Sequence, residues 1–225
     1  MDSRRLTATR VTASTLGVLV GLAGIDHGLF EILQGNVAPA GLMFDAIGPD
    51  QRFWEYGVET ALTIVPNLLV TGVLAVIVGL AVVVWAGVFV ERKRGAGILM
   101  LLSTILFLVG GGFAPIVMSV VASLAASRIG KPLTLWRRFL PGVVRRILAK
   151  VWPGVLIAFV VTFLVSVEIA IFGWPLTALV DAERALELLS TFSSTVMLGL
   201  MLFSVVTAFA RDTQVGLAIG DSPPA

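Results

Sequence analysis

Apolar residues in this chain come in long uninterrupted runs rather than in the two- or three-residue periods of a soluble fold. From Val11 to Leu33 the run is broken only by Asp26, His27 and Glu31, and from Thr60 to Val90 no charged residue occurs at all. A further run spans Gly95 to Ser127, and two more cover 151–174 and 186–210. A helix that crosses a bilayer needs about 20 largely apolar residues, so each run predicts a transmembrane element. Glu91-Arg92-Lys93-Arg94 is a clear stop after the second run.

The third run holds Gly110-Gly111-Gly112-Phe113-Ala114-Pro115 at its middle. Glycine supplies free backbone angles and proline cannot continue a helix, so this is turn chemistry. Charge decides between one kinked span and a hairpin. Arg4, Arg5 and Arg10 place the N-terminus in the cytoplasm, which puts Arg92-Lys93-Arg94 there after two spans. The seven basic residues from Arg128 to Lys150 stay on that side only if the third run turns back. The sequence therefore predicts an all-α polytopic membrane protein, a single transmembrane domain of six helices over 11–34, 59–90, 95–111, 114–130, 151–174 and 186–210. Both termini are expected to be cytoplasmic. Phe53, Trp54, Tyr56 and Trp174 fall in the outer aromatic belt of this layout, and Trp85, Trp136 and Trp152 in the inner one. Asp26-His27 ends the first apolar stretch with no small-residue cleavage site beside it, so an uncleaved first helix is expected.

Between the fourth and fifth spans, Leu135, Trp136, Phe139, Leu140, Val143, Val144, Ile147 and Leu148 recur at helical spacing, with arginines opposite. This predicts an interfacial amphipathic helix over 133–150, bent at Pro141-Gly142. Arg137, Arg138, Arg145 and Arg146 would meet anionic lipid of the inner leaflet. Docking of a cytoplasmic partner is the alternative use of that face.

Composition narrows the classes. Of 225 residues 57% are hydrophobic and 13% charged, about half the charge of an average soluble domain, which excludes one. A net charge of +2 excludes a nucleic-acid partner. The absence of cysteine excludes disulfides, thiolate catalysis and Cys-based metal centres. A single histidine excludes sites that need two or three from one chain. The small net charge is a cancellation: the cytoplasmic segments carry all basic residues but Arg52 and Arg184, and the outer half carries all acids but Asp2, Glu91, Asp212 and Asp221. Thirteen arginines against three lysines fit a GC-rich genome, so a prokaryotic inner membrane is expected.

Ionisable groups at membrane depth are costly, so each is a functional candidate. They are Asp26, His27 and Glu31 in the first helix, Glu59 opening the second, and Glu168 in the fifth. Glu55 lies four residues before Glu59, near the outer mouth. His27 and Glu31, at i and i+4, can share a divalent cation or a hydrogen bond, and are the metal candidates. Asp26 points to nearly the opposite side and is expected to join a different contact. Asn67 is expected to cap backbone carbonyls freed by Pro66. Gly17, Gly21, Gly24 and Gly28 make one smooth face for close helix approach, within the chain or in a homo- or hetero-oligomer. Ser103, Ser119 and Ser123 can bond helix to helix.

Three functional classes fit. The first is a small transporter or permease-like protein with an acidic, His-containing outer site built from His27, Glu31 and Glu59, with Glu55 and Glu168. The second is a non-catalytic subunit of a membrane complex. The third is a metal-dependent membrane enzyme. Mutual satisfaction of these polar groups, tying the first, second and fifth helices together, is the structural alternative to any site.

Overall fold

The computed structural model describes residues 7–48, 50 and 54–220. Arg4, Arg5, Arg52 and Phe53 lie outside the described residues, as does the side chain of Arg137. The fold is mostly helical, and four helical segments are long and apolar enough to cross a membrane.

Helix α1 (Ala8–Gln34) is central, packed against most of the others. Its first N–H groups have no partner within the helix and are satisfied twice over. The Thr7 hydroxyl accepts from the Arg10 N–H at 3.2 Å. The Asp212 carboxylate, from the far end of the chain, accepts from Ala8 and Thr9 at 2.8 Å each. A carboxylate there also meets the positive end of the helix dipole.

Beyond α1 comes an element absent from the predicted all-helical layout. Strands β1 (Met43–Ile47) and β2 (Glu59–Leu62) pair antiparallel, Met43 opposite Leu62 and Ile47 opposite Glu59, with a bulge between Asp45 and Ile47. Phe44, Ala46, Ile47 and Ala61 turn inward and pack with Trp54, Ala170 and Leu189, closing that end of the bundle. The second span therefore starts at Leu68, not at Glu59. Pro66 cannot continue a helix, and Asn67 acts as N-cap, its carbonyl oxygen accepting from the Val70 N–H at 3.1 Å. Asn67 thus satisfies an N–H group rather than the carbonyls expected. Helix α2 (Leu68–Val84) runs on through one π-helical turn at Trp85–Phe89.

The triple glycine makes a hairpin of α3 (Gly95–Leu108) and α4 (Phe113–Ala126). At 1.5 Å per residue each arm is about 21 Å long, short of the ~30 Å hydrocarbon core. These arms are shorter than the predicted 95–111 and 114–130. The chain leaving β2 packs against the tip of this hairpin. Ile64 N–H donates to the Leu108 carbonyl and Gly110 N–H to the Leu62 carbonyl, both at 3.0 Å, with Thr63 paired to Val109. The backbone polar groups of this non-helical stretch are thus paired within the protein, the condition under which such backbone is tolerated inside a membrane.

The predicted interfacial helix over 133–150 is divided. Helix α5 (Thr134–Phe139) stops before Pro141, and Gly142 onward are the first turns of α6 (Gly142–Phe172), which continues through the predicted fifth span. Proline lacks an N–H and suits a helix start, so it ends α5 and opens α6. Helix α7 (Ala182–Phe192), a π-helical turn at Ser193–Met197 and α8 (Leu198–Gly220) follow one another into a final helical stretch long and apolar enough to cross a membrane, longer than the predicted 186–210.

The basic segments gather at one end. Arg10 pairs with Glu91 at 2.9 Å, Arg211 lies over the Trp152 ring, and Trp152 donates to the Thr12 hydroxyl at 2.9 Å. Trp136 packs on Phe209, 5.4 Å between centroids. The β-hairpin, Trp54 and Tyr56 occupy the opposite end, where Tyr56 N–H donates to the Ala170 carbonyl at 3.0 Å.

Candidate functional site

The glycine face of α1 sets the position of every polar group that follows. Gly21 meets Gly79 and Gly28 meets Gly72, backbone against backbone, in antiparallel register with α2. Gly17 faces Ala86 and Leu99, and Gly24 faces Leu106 of α3. The glycine pair on α2, seven residues apart, is the half of this contact that the sequence reading missed. Nearby, Ser14 donates to the Ala86 carbonyl at 2.8 Å and adds a polar tie. By contrast the Ser119 hydroxyl donates back to the Ile116 carbonyl of its own helix.

Close approach of α1 brings Glu31 and His27 against the α3–α4 turn. Gly110 and Gly112 have φ of +98° and +81°, a region that L side chains rarely adopt. A Cβ on Gly110 would fall on the Glu31 carboxyl oxygens, and one on Gly112 on the His27 ring. The triple glycine is therefore a bare-backbone cradle for two ionisable side chains as well as a turn. Glu31 is 0% exposed, and neither oxygen has a hydrogen-bond partner among the described residues. An ionised carboxylate so placed needs a counter-charge or a proton. His27 is 3% exposed and its Nδ1 likewise has no partner among the described residues.

On the other flank of α1 a crevice of about 210 Å³ lies between α1, α4 and α6. Asp26, His27 and Glu59 line it together with Trp54, Met118, Phe163 and other apolar side chains. His27 Nε2 stands 4.0 Å from Glu59 Oε2. That is too long for a direct hydrogen bond, but close enough for a charge on one group to be felt by the other between apolar walls. Burial, with the Asp26 carboxylate adding to it, pushes the Glu59 carboxyl up to about 7. A second cavity of about 590 Å³, towards α7, shares Trp54, Glu59, Ala114, Phe163 and Val167 with the first. Glu59 and Trp54 thus stand at the junction of the two. Trp54 is 6% exposed, and its Nε1 has no partner among the described residues.

The structure regroups the residues singled out from sequence. Asp26, expected to serve a different contact, shares the crevice with His27 and Glu59. Glu31 turns away from it, towards the glycine turn and Thr71. Glu168 follows Val167, which lines both cavities, but itself lines neither. Glu55 is exposed. Among the described residues no group of three His, Asp or Glu side chains is placed to hold a metal ion. Trp54 and the cradle glycines are the site residues that sequence reasoning missed, since their contribution depends on which segments meet. No protein-family model, no curated protein and no solved structure matches the chain, so the reading of this site rests on its geometry.

Proposed function

We propose that the protein is a small permease-like membrane transporter that handles protons or a cation at the crevice of Asp26, His27 and Glu59. The observation that carries this reading is the pair His27 and Glu59, 4.0 Å apart across an apolar crevice that also holds Asp26. A neutral imidazole can take a proton that a neighbouring carboxyl gives up, and a carboxylate so released can hold a cation. Glu31, buried behind His27 on the same helix, is a further proton-accepting group. Basic residues at the α5 end favour the cytoplasm there, which puts the crevice in the outer half of an inner membrane. Arg138 and Arg146, on the exposed surface beside Phe139 and Val143, would then meet anionic lipid.

The test is proton flux into liposomes reconstituted with the protein and loaded with a pH-sensitive dye, under an imposed potential. Flux above that of empty liposomes is expected. It should fall at least about tenfold in His27→Ala and Glu59→Gln, the cost of removing a proton-transfer group. Elution profiles should stay unchanged. Wild-type flux in both variants, or no flux of protons or of an added monovalent cation in the wild type, overturns the reading.

A further inference from the structure

The walls of the crevice restrict its ligand more than its charges do. Leu22 on α1 and Leu164 on α6 line it, yet are 48% and 56% exposed. They are therefore the lips of an opening that faces sideways, between two long apolar helices, rather than towards the ends of the bundle. Inside, among the described residues, Asp26 and Glu59 carry the only ionisable oxygens of the lining, and no lysine or arginine lines it. Trp54 and Phe163 present aromatic rings. His27, nearly fully buried, contributes an imidazole whose Nδ1 is unpartnered among the described residues.

We propose that this crevice binds an amphipathic monovalent organic cation, an alkylammonium, admitted sideways from the membrane. The ammonium sits by Asp26 and Glu59, and the alkyl chain runs along Leu22, Leu164 and Val167. This names the substrate class of the transport site above and rests on that reading. A calcium ion asks for six to eight oxygen ligands, and a magnesium ion keeps several waters, neither of which two carboxylates between apolar walls favour. An ammonium needs only one or two carboxylates and gains from aromatic faces. An apolar lining open to the bilayer favours a chain that the membrane itself concentrates.

The test is calorimetric titration of the full chain in zwitterionic nanodiscs with propyl-, butyl- and hexylammonium, empty nanodiscs correcting for partition into lipid. Affinity should rise about three- to fourfold per added methylene. Asp26→Asn and Glu59→Gln should each weaken hexylammonium at least about tenfold, while Glu55→Gln, on the exposed neighbour, should not. Hexanol and hexanoate should bind far more weakly. Equal binding of hexanol, or hexylammonium affinity unchanged in both carboxyl variants, overturns the proposal. The two readings separate cleanly. Proton flux with no hexylammonium binding overturns the substrate class and leaves transport standing, whereas carboxylate-dependent binding with no flux of either protons or hexylammonium supports the site and overturns transport.

Discussion

Gly28 and Gly72 each occupy the space into which the other's side chain would project. A Cβ on Gly28 would come 2.6 Å from the Gly72 carbonyl oxygen, and a Cβ on Gly72 would fall on that of Gly28. Backbone has nowhere to move in such a contact, so Gly28→Ala or Gly72→Ala must push α1 and α2 apart. Each should cost about 1–3 kcal/mol, as overpacking does. Gly97→Ala, which meets nothing within 4 Å, should be neutral or slightly stabilising. Reversible unfolding in mixed micelles measures the difference. Equal stability of Gly28→Ala and Gly97→Ala would reject the close approach.

The cradle predicts a coupling between the glycine turn and α1. Gly110→Ala suffers both from its positive φ and from collision with the Glu31 carboxyl. Only the second part is relieved when Glu31 is shortened. The double variant Gly110→Ala/Glu31→Ala should therefore be more stable than the sum of the single changes predicts, by about 0.5–3 kcal/mol. Simple additivity in a double-mutant cycle would place Glu31 away from the turn.

Glu59 gives the fold a pH dependence of definite sign. Its carboxyl is raised from 4.5 to about 7 in the folded chain by burial and then by Asp26. Folding thus favours the protonated form. The contribution of Glu59 to stability is therefore complete below about 4.5, falls as the pH rises towards about 7, and is lost above that. Thermal unfolding in detergent across this range should show Tm falling less between pH 4.5 and about 7 in Glu59→Gln than in the wild type, the difference between the two profiles being the part that belongs to Glu59. In Asp26→Asn the slope should end at lower pH, because the repulsive neighbour is gone. A Glu59→Gln profile that keeps the wild-type slope would assign it to another group.

Asp212 ties the two ends of the chain together. Its carboxylate holds the N–H groups of Ala8 and Thr9, and among the described residues none close in sequence duplicates both bonds. Asp212→Ala should cost about 0.5–2 kcal/mol and fray the start of α1. Amide exchange at residues 8 and 9 should accelerate while the middle of α1 keeps its protection. Uniform exchange along α1 in the variant would contradict a local cap.

Much of this architecture could be read from the order of residues alone. Long runs nearly free of charge can only be buried in lipid or protein, so the apolar lengths of α1, α2 and α6 follow from composition along the chain. The Gly110–Gly112 turn follows from backbone chemistry, and the basic end from where arginine recurs. These are local properties, determined by each residue and its near neighbours. The β-hairpin was not legible: Glu59–Leu62 reads as the start of an apolar span, and only pairing with Met43–Ile47 makes it a strand. Pro141 could be read as a bend, but not as the start of α6, because that depends on where the following turns pack. The site divides in the same way. His27, Glu31, Asp26 and Glu59 were visible as costly residues, but helical spacing paired His27 with Glu31. Tertiary structure set His27 against Glu59, gave Glu31 to the glycine turn, and left Glu168 outside the crevice. The physical reason is that a side chain's partner at membrane depth is chosen by which backbones can approach. Here that was decided by Gly21, Gly28, Gly72 and Gly79 meeting across two helices.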